Sequence, residues 1–357
     1  MRSKLRSLVQ QIAQFPTKLV QAFLTFIRGV ANAGEEPLFS VGSLTYMAVA
    51  LLELVISVAG THLILNQGIL WFYPLLILTL ISGQAGAWTL YMACCHHGVH
   101  GALSQIPWIN AIVAELSSVV ILTPGRDRYR KTHNGDHHPP DKLATEQDPD
   151  YRWLKRWGFI GGQPISYYWL RFWLTLFNPT FYWEHLLSRL RWNFITVPRY
   201  RRWMAITWWL MVLTLTFYTN AWGTLILGYL VPIIFGYSIS SFVQIITEHR
   251  WLHTGDAKQK TFPRLLPLEP PQKGNPLDWL HFSGLLLVYL YWKLAILCTD
   301  LQQHQIHHQR PHNLGWPMIA YSKAAQADRS KAIWGIRNQF REAFRSLAEA
   351  KPNADQK

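Results

Sequence analysis

Residues Gln302–His312 read Q-Q-H-Q-I-H-H-Q-R-P-H and follow an apolar run, Phe282–Cys298. Three imidazoles, His304, His307 and His308, crowd into this stretch. Two other dense histidine groups lie far upstream: His96, His97 and His100, then His133, His137 and His138. Imidazole is the commonest transition-metal side-chain ligand. The fold therefore turns on whether the chain can bring the three groups together.

The sequence between the groups is membrane-like. Half of the 357 residues are hydrophobic, among them 18 Trp, 15 Tyr and 17 Phe, and they are gathered into long blocks. Apolar runs of about eighteen residues or more read as transmembrane helices. The best spans are Leu44–Leu65, Ile69–Cys94, Trp203–Tyr218 and Gly223–Thr247. They form two hairpins, closed by Asn66-Gln67-Gly68 and by a turn near Asn220. Glu53 sits inside the first span, where a charge is expensive, and reads as a protonated or hydrogen-bonded group facing another helix. Cys94, Cys95 and Cys298 form no C-x-x-C pair, which argues against a structural zinc site and a disulfide framework; they read as packing residues.

Charge fixes the sidedness. All 34 Lys and Arg lie outside the four spans and their turns, in residues 1–34, 101–202 and 249–357. By the positive-inside rule these regions are cytoplasmic, both termini included. All the histidine groups then share one face. Neither Pro107–Thr123 nor Phe282–Cys298 can cross alone without separating them, so both read as interfacial or re-entrant; Glu115 and Lys293 fit that reading. The net charge of +14 tracks membrane sidedness, so it does not argue for nucleic acid.

The expected architecture is an all-α integral membrane protein. It has about four transmembrane helices as two hairpins, plus interfacial helices and a cytoplasm-facing histidine-rich cap. Three parts follow. Residues 1–39 are a cytoplasmic segment whose Leu5, Leu8, Ile12 and Phe15 mark one face of an amphipathic helix on the membrane surface. Residues 40–320 are the membrane-embedded catalytic part; within it, 152–202 mix aromatics with arginines as at headgroup depth, and Thr261–Pro276 is a polar, Pro-rich loop. Residues 321–357 are a basic amphipathic tail with Ile333, Ile336, Phe340, Phe344 and Leu347 on one face.

His96 and His100, His133 and His137, His249 and His253, and His304 and His308 are each four apart, so on a helix each pair shares a face. The three groups supply eight nitrogens and His249, just after the last span, can add a ninth. That is too many for one four-coordinate ion, so two metals are expected. Nitrogen ligands without thiolate suit iron, zinc or copper. A site where a lipid-accessible cavity meets the cytoplasm favours a redox iron pair that activates oxygen against an unreactive carbon chain. His97 reads as an alternative ligand or a brace for one. Asp148 and Asp150 can orient imidazoles by accepting the other ring N–H, and Asp136 stays open between that role and a solvated loop. His62, His185 and His281 read as structural, His312 as a brace of its loop, and His253 as open between brace and surface.

These boxes resemble the membrane fatty-acid desaturase and hydroxylase superfamily, with its pattern of H-x(3–4)-H, H-x(2–3)-H-H and a further H-x(2–3)-H-H. The sequence has H-H-G-V-H from His96 (or H-G-V-H from His97), then H-N-G-D-H-H and H-Q-I-H-H. The resemblance covers roughly residues 40–320. It implies a non-haem di-iron centre that uses O2 and two external electrons on an aliphatic chain. Carried over by position, the ligands are His96, His100, His133, His137, His138, His304, His307 and His308, with His249 where relatives place an additional ligand. The expected activity is oxygen-dependent desaturation of fatty-acyl lipids. The alternative is a hydroxylase or ketolase of a carotenoid, alkane or other lipid; L-Q-Q-H-Q-I-H-H also looks like alkane and xylene hydroxylases. A metal transporter would need ionisable residues at mid-membrane on several helices, and only Glu53 fits. No haem domain or iron–sulfur motif is present, so electrons are expected from a separate ferredoxin-like donor, to which the basic face is complementary.

Overall fold

The computed structural model describes residues 2–68, 70–271 and 275–351. Ile69, where the second span was expected to begin, lies outside them, as do the side chains of Leu5, Leu8 and Ile12. The chain is mostly helical. Its principal helices are α1 (Arg2–Arg28), α2 (Ser43–Gln67), α3 (Trp71–Val99), α4 (Pro107–Val120), α5 (Arg126–Thr132), α6 (Pro149–Arg156), α7 (Ile165–Leu176), α8 (Pro179–Leu190), α9 (Arg199–Thr219), α10 (Thr224–Glu248), α11 (Pro276–Ala295), α12 (His304–Gln309) and α13 (Ile336–Glu349).

Among the described residues, α2, α3 and α10 are long and apolar enough to cross a membrane. The fourth expected span lies in α9, whose first turn carries Arg199, Arg201 and Arg202; that charge keeps the helix out of this group. The hairpin turns are built on left-handed residues, Gly68 after α2 (φ 62°) and Asn220 after α9 (φ 49°). Glycine and asparagine are the residues that take this conformation most cheaply.

The three apolar helices pack through small residues, as helices do where lipid gives no hydrophobic drive. A Cβ on Gly86 of α3 would lie 2.8 Å from the Ala50 carbonyl oxygen and 2.9 Å from the Leu54 nitrogen of α2. Ser57 donates to the Gly228 carbonyl at 2.7 Å, and the Thr61 and Thr79 hydroxyls meet at 3.0 Å. Glu53 faces α3, its Cβ 2.9 Å from a Cβ on Gly86. One of its carboxylate oxygens is buried without a hydrogen bond, and the expectation that it faces another helix holds. All three cysteines are buried, as expected of packing residues.

Helix α4 shows why an apolar stretch need not span. Its 14 residues reach about 21 Å, short of a hydrocarbon core of about 30 Å. A helix that ends inside a protein leaves carbonyls to satisfy. Two buried arginines do this. Arg201 donates to the Glu115 and Thr123 carbonyls at 2.9 and 3.1 Å and pairs with the Glu115 carboxylate at 3.3 Å. Arg189 donates to the carbonyls of Leu122, at 3.0 Å, and Ile121. The chain then reverses at Leu122 (φ 56°) and enters α5, which delivers the second histidine group.

The C-terminal half of α1 has two faces: Leu24 and Ile27 pack with Leu266 and Leu268, while Phe15, Leu19, Val20 and Phe23 are exposed. Just beyond it, Val30 packs with Leu265 and Ile306. Two expectations change. The Thr261–Pro276 loop is apolar where it counts, since Phe262, Leu265, Leu266 and Leu268 are buried. Within it, β1 (Arg264–Leu265) pairs in parallel with β2 (Ile333–Trp334), so Ile333 belongs to a strand and not to the tail helix. The rest of the tail face holds, with Phe340, Phe344 and Leu347 buried in the main core beside Phe159, Tyr168 and Phe242. Helices α7 and α8 expose Leu170, Trp173, Leu174, Phe177, Trp183 and Leu187, the composition of a surface at headgroup depth.

Candidate metal centre

Helix α3 runs beyond Cys94, so His96 and His97 ride on the end of a membrane helix with no break. His96 and His100 sit four apart, their rings 5.1 Å centre to centre. The second group departs from the α-helical reading. Residues His133–His137 form a π-helical turn, with the His138 amide donating to the His133 carbonyl at 2.9 Å. A π turn stacks residues five apart, so His138 comes over His133, Nε2 to Nε2 at 3.1 Å. His137 is left facing elsewhere. In α12, His304 and His308 share a face with Nε2 atoms 3.1 Å apart, and His307 is rotated off it.

The outcome is two groups of four, each with its nitrogens within 4.8 Å of one another: His96, His100, His133 and His307; and His137, His249, His304 and His308. Boxes two and three are each divided between the groups, whereas the spacing argument had each box aim at one point. His138 lies between the groups, its ring 4.5 Å from His100 and 4.4 Å from His308.

The nitrogens fit metal ions better than they fit one another. His307 Nε2 lies 2.9 Å from His96 Nε2 and 3.2 Å from His100 Nε2. One ring proton can serve only one such contact, so the other sets like against like. Two imidazole nitrogens at right angles on one ion, each bound at about 2.1 Å, would be about 3.0 Å apart. Burial and the neighbouring imidazoles hold His100, His133, His138, His249, His304, His307 and His308 well below the usual histidine range, hence neutral with a lone pair to give.

Carboxylates brace the rings from behind. Both Asp148 oxygens lie 3.0 Å from His137 Nδ1 and Asp150 lies 3.3 Å from it. Burial opposes a proton on His137, but these two acids outweigh it and push the imidazole up to about 10 in the metal-free chain. Asp148 also accepts from the Ala144 and Asp150 amides, so it caps α6 at the same time. Asp136, within the same π turn, pairs with Lys142 at 2.7 Å. His97 joins neither group of four but forms a further set with Asp300 and His307: its Nε2 donates to Asp300 at 3.0 Å and its ring stacks on Trp316 at 4.0 Å.

Several of these contacts had no reading from sequence. Asp300 joins His97 to His307, whose Nδ1 lies 3.6 Å away. Glu248 approaches His304 Nε2 at 3.6 Å, and Tyr129 lies 3.1 Å from His96 Nδ1. Arg264 ties the end of α10 to the third box, donating to Gln244 and Thr247 and to the Leu301 carbonyl at 2.8 Å. Asp148, Asp150, Glu248 and Asp300 carry charge enough to balance two divalent ions. Glu248 adjoins His249, but nothing in the spacing of Asp300 or Tyr129 shows which ring it meets.

The sequence model of the fatty acid desaturase family matches residues 69–334, about three quarters of the chain, and takes in every histidine of both groups. The chain belongs to the fatty acid desaturase family. No curated protein and no solved structure matches it. The family makes this chain an oxidoreductase with histidine clusters suited to metal. Of the remaining histidines, His312 was read as a brace of its own loop; its Nδ1 meets the His100 carbonyl and so reaches the first box. His185 was read as structural; it bonds Ser238 at 2.8 Å but also lines a cavity of about 440 Å³ that reaches His133 and His137.

Proposed function

We propose that this desaturase-family protein removes hydrogens from the aliphatic chain of a fatty-acyl lipid at two iron ions. His96, His100, His133 and His307, with His138 beside them, would hold one; His137, His249, His304 and His308 would hold the other. The observation that carries the reading is the pair of four-histidine groups, each within 4.8 Å, in a chain of this family. When bound, the irons would supply oxygen activation strong enough to attack an unactivated C–H bond. The chain's own residues hold and orient the rings, with Asp148, Asp150 and Asp300 on their outer nitrogens, and bury them away from bulk water. The cavity of about 440 Å³ is large enough to admit an alkyl chain beside His133 and His137.

The topology belongs to the same reading. Two hairpins, α2–α3 and α9–α10, cross the membrane, and α4 and α11 do not. Both termini and the histidine cap face the cytoplasm, where an acidic ferredoxin-like donor meets the basic surface. Single cysteines at Trp71 and Lys258 test this: the first should label from outside the cell and the second only after lysis.

Expression in a host without the activity, followed by iron analysis and lipid profiling, tests the function. Two irons per chain and new double bonds are expected, with His307→Ala abolishing turnover. New hydroxyl or keto groups would replace desaturation by the hydroxylase chemistry the same scaffold supports. Bound zinc with unchanged lipids would overturn the reading.

A further inference from the structure

The two histidine groups offer the same donors and differ in what stands behind the rings. In the second group, His137 points its Nε2 at His249, 3.3 Å away, and its Nδ1 at two acids. Both Asp148 oxygens lie 3.0 Å from that Nδ1, and Asp150 lies 3.3 Å from it. Among the described residues, the outer nitrogens of His249, His304 and His308 are buried without a hydrogen bond, so the support of this group is gathered on one ring. Glu248 comes within 3.6 Å of His304 on its Nε2, not behind the ring, and Arg264 beside it offsets its charge.

The first group is braced more weakly. His96 Nδ1 meets an uncharged phenol, Tyr129, at 3.1 Å. His307 Nδ1 faces Asp300 at 3.6 Å, too long for a hydrogen bond. The other Asp300 oxygen is already taken by His97 at 3.0 Å and Thr299 at 3.3 Å. A carboxylate that shares the outer ring proton raises the basicity of the nitrogen facing the metal. A ferric ion gains more from such a ligand than a ferrous one, and burial strengthens the effect of the fixed charge. A phenol does the same to a smaller degree.

We propose that the two irons are electronically unlike: the one held by His137, His249, His304 and His308 has the lower reduction potential, and Asp148 and Asp150, acting through His137, are the positioning residues that set the difference. The inference rests on the di-iron reading given above and adds an order to it. A one-electron donor delivers its electrons singly, each taking one ferric ion to ferrous and leaving one donor molecule oxidised. The first electron then settles on the iron at His96, His100, His133 and His307, and the second on its neighbour.

The test reads potentials, without turnover. The full-length protein in detergent is loaded with iron-57 and poised at a series of potentials with mediators, and ferric and ferrous ions are counted by Mössbauer spectroscopy. Two one-electron steps are expected. Two like irons that interact would also split, so the variants make the assignment. Asp148→Asn should weaken the ferric preference of the lower step about 10–100-fold, which raises it by about 60–120 mV at about 59 mV per tenfold, and should move the upper step less. Asp150→Asn, which leaves the Asp148 cap of α6 in place, should shift the same step in the same direction and keeps the test open if the Asp148 variant fails to fold. Asp300→Asn and Tyr129→Phe should instead act on the upper step. A single two-electron step in the parent protein, or Asp148 and Asp150 variants that move the upper step more than the lower or move neither, would overturn the proposal while leaving two irons in place. A chain that takes up no iron would sink the di-iron reading and this inference together.

Discussion

Asp300→Asn isolates one of the two histidine groups. Asp300 is buried (3% exposed), accepts from His97 Nε2 at 3.0 Å, and has its other oxygen 3.6 Å from His307 Nδ1. Asparagine keeps the shape and one acceptor but loses the charge. A hydrogen bond to an ionised group contributes about 1.5–3 kcal/mol against about 1 for a neutral one, so about 0.5–2 kcal/mol of support for the rings is lost. Carboxylates behind metal-binding histidines are worth about 10–100-fold in affinity or activity, or about 1.4–2.7 kcal/mol. The loss should fall on His96, His100, His133 and His307, because Asp148 and Asp150 support the other group. Metal analysis during a chelator titration should show one iron leaving about 10–100-fold more readily than in the parent protein, while the second is held as before. Loss of both irons in parallel, or of neither, would refute this division of labour.

Asp148→Asn should do the converse, weakening metal binding by His137, His249, His304 and His308, and it should also lower the unfolding midpoint because Asp148 caps α6; intact stability would count against the capping role. The metal-free protein should lose stability as pH falls below about 6.5. Seven imidazoles, five buried and two half-buried, have folded pKa values depressed below the value of 6.5, so the unfolded chain binds more protons there, and each contributes a slope of up to about 1.4 kcal/mol per pH unit. His137 runs the other way, its contribution being present below 6.5 and lost as pH rises through about 10. Thermal melts at pH 7.5, 6.5 and 5.5 check the sign, and a midpoint that does not fall would contradict it. Gly86→Leu should force α2 and α3 apart, since even a Cβ meets the Ala50 and Leu54 backbone at 2.8–2.9 Å. A loss of about 1–3 kcal/mol is expected in a detergent unfolding assay, and unchanged stability would mean the helices do not meet there.

What could be read from the sequence was what depends on position along the chain. Apolar blocks gave α2, α3 and α10, and the placement of Lys and Arg required Pro107–Thr123 to stay on one side. The structure adds two buried arginines from distant helices that hold the carbonyls at the end of α4. The histidines were legible because the ligand atoms are the side chains themselves. Their grouping was not, because it depends on a π turn at His133–His137 that no residue in H-N-G-D-H-H announces. Asp300 and Tyr129 were invisible for a different reason: each acts on a ring more than thirty positions away, His97 and His96 respectively.

The division of the boxes has a consequence for how the cap holds together. Each group draws on more than one segment: the first on α3, the π turn and α12, the second on the π turn, His249 at the end of α10 and α12. Neither can form while any of its segments is undocked, so metal affinity and the docking of the cap are thermodynamically linked. The third box is the member common to both through His304, His307 and His308, and it is also the one anchored from outside. Gln302 and Gln303 donate to the Ile27 and Gly29 carbonyls at 2.9 and 2.7 Å, and Arg264 holds Leu301. The docked end of α1 therefore belongs to the support of the metal centre, although it lies more than 270 residues from the histidines it steadies.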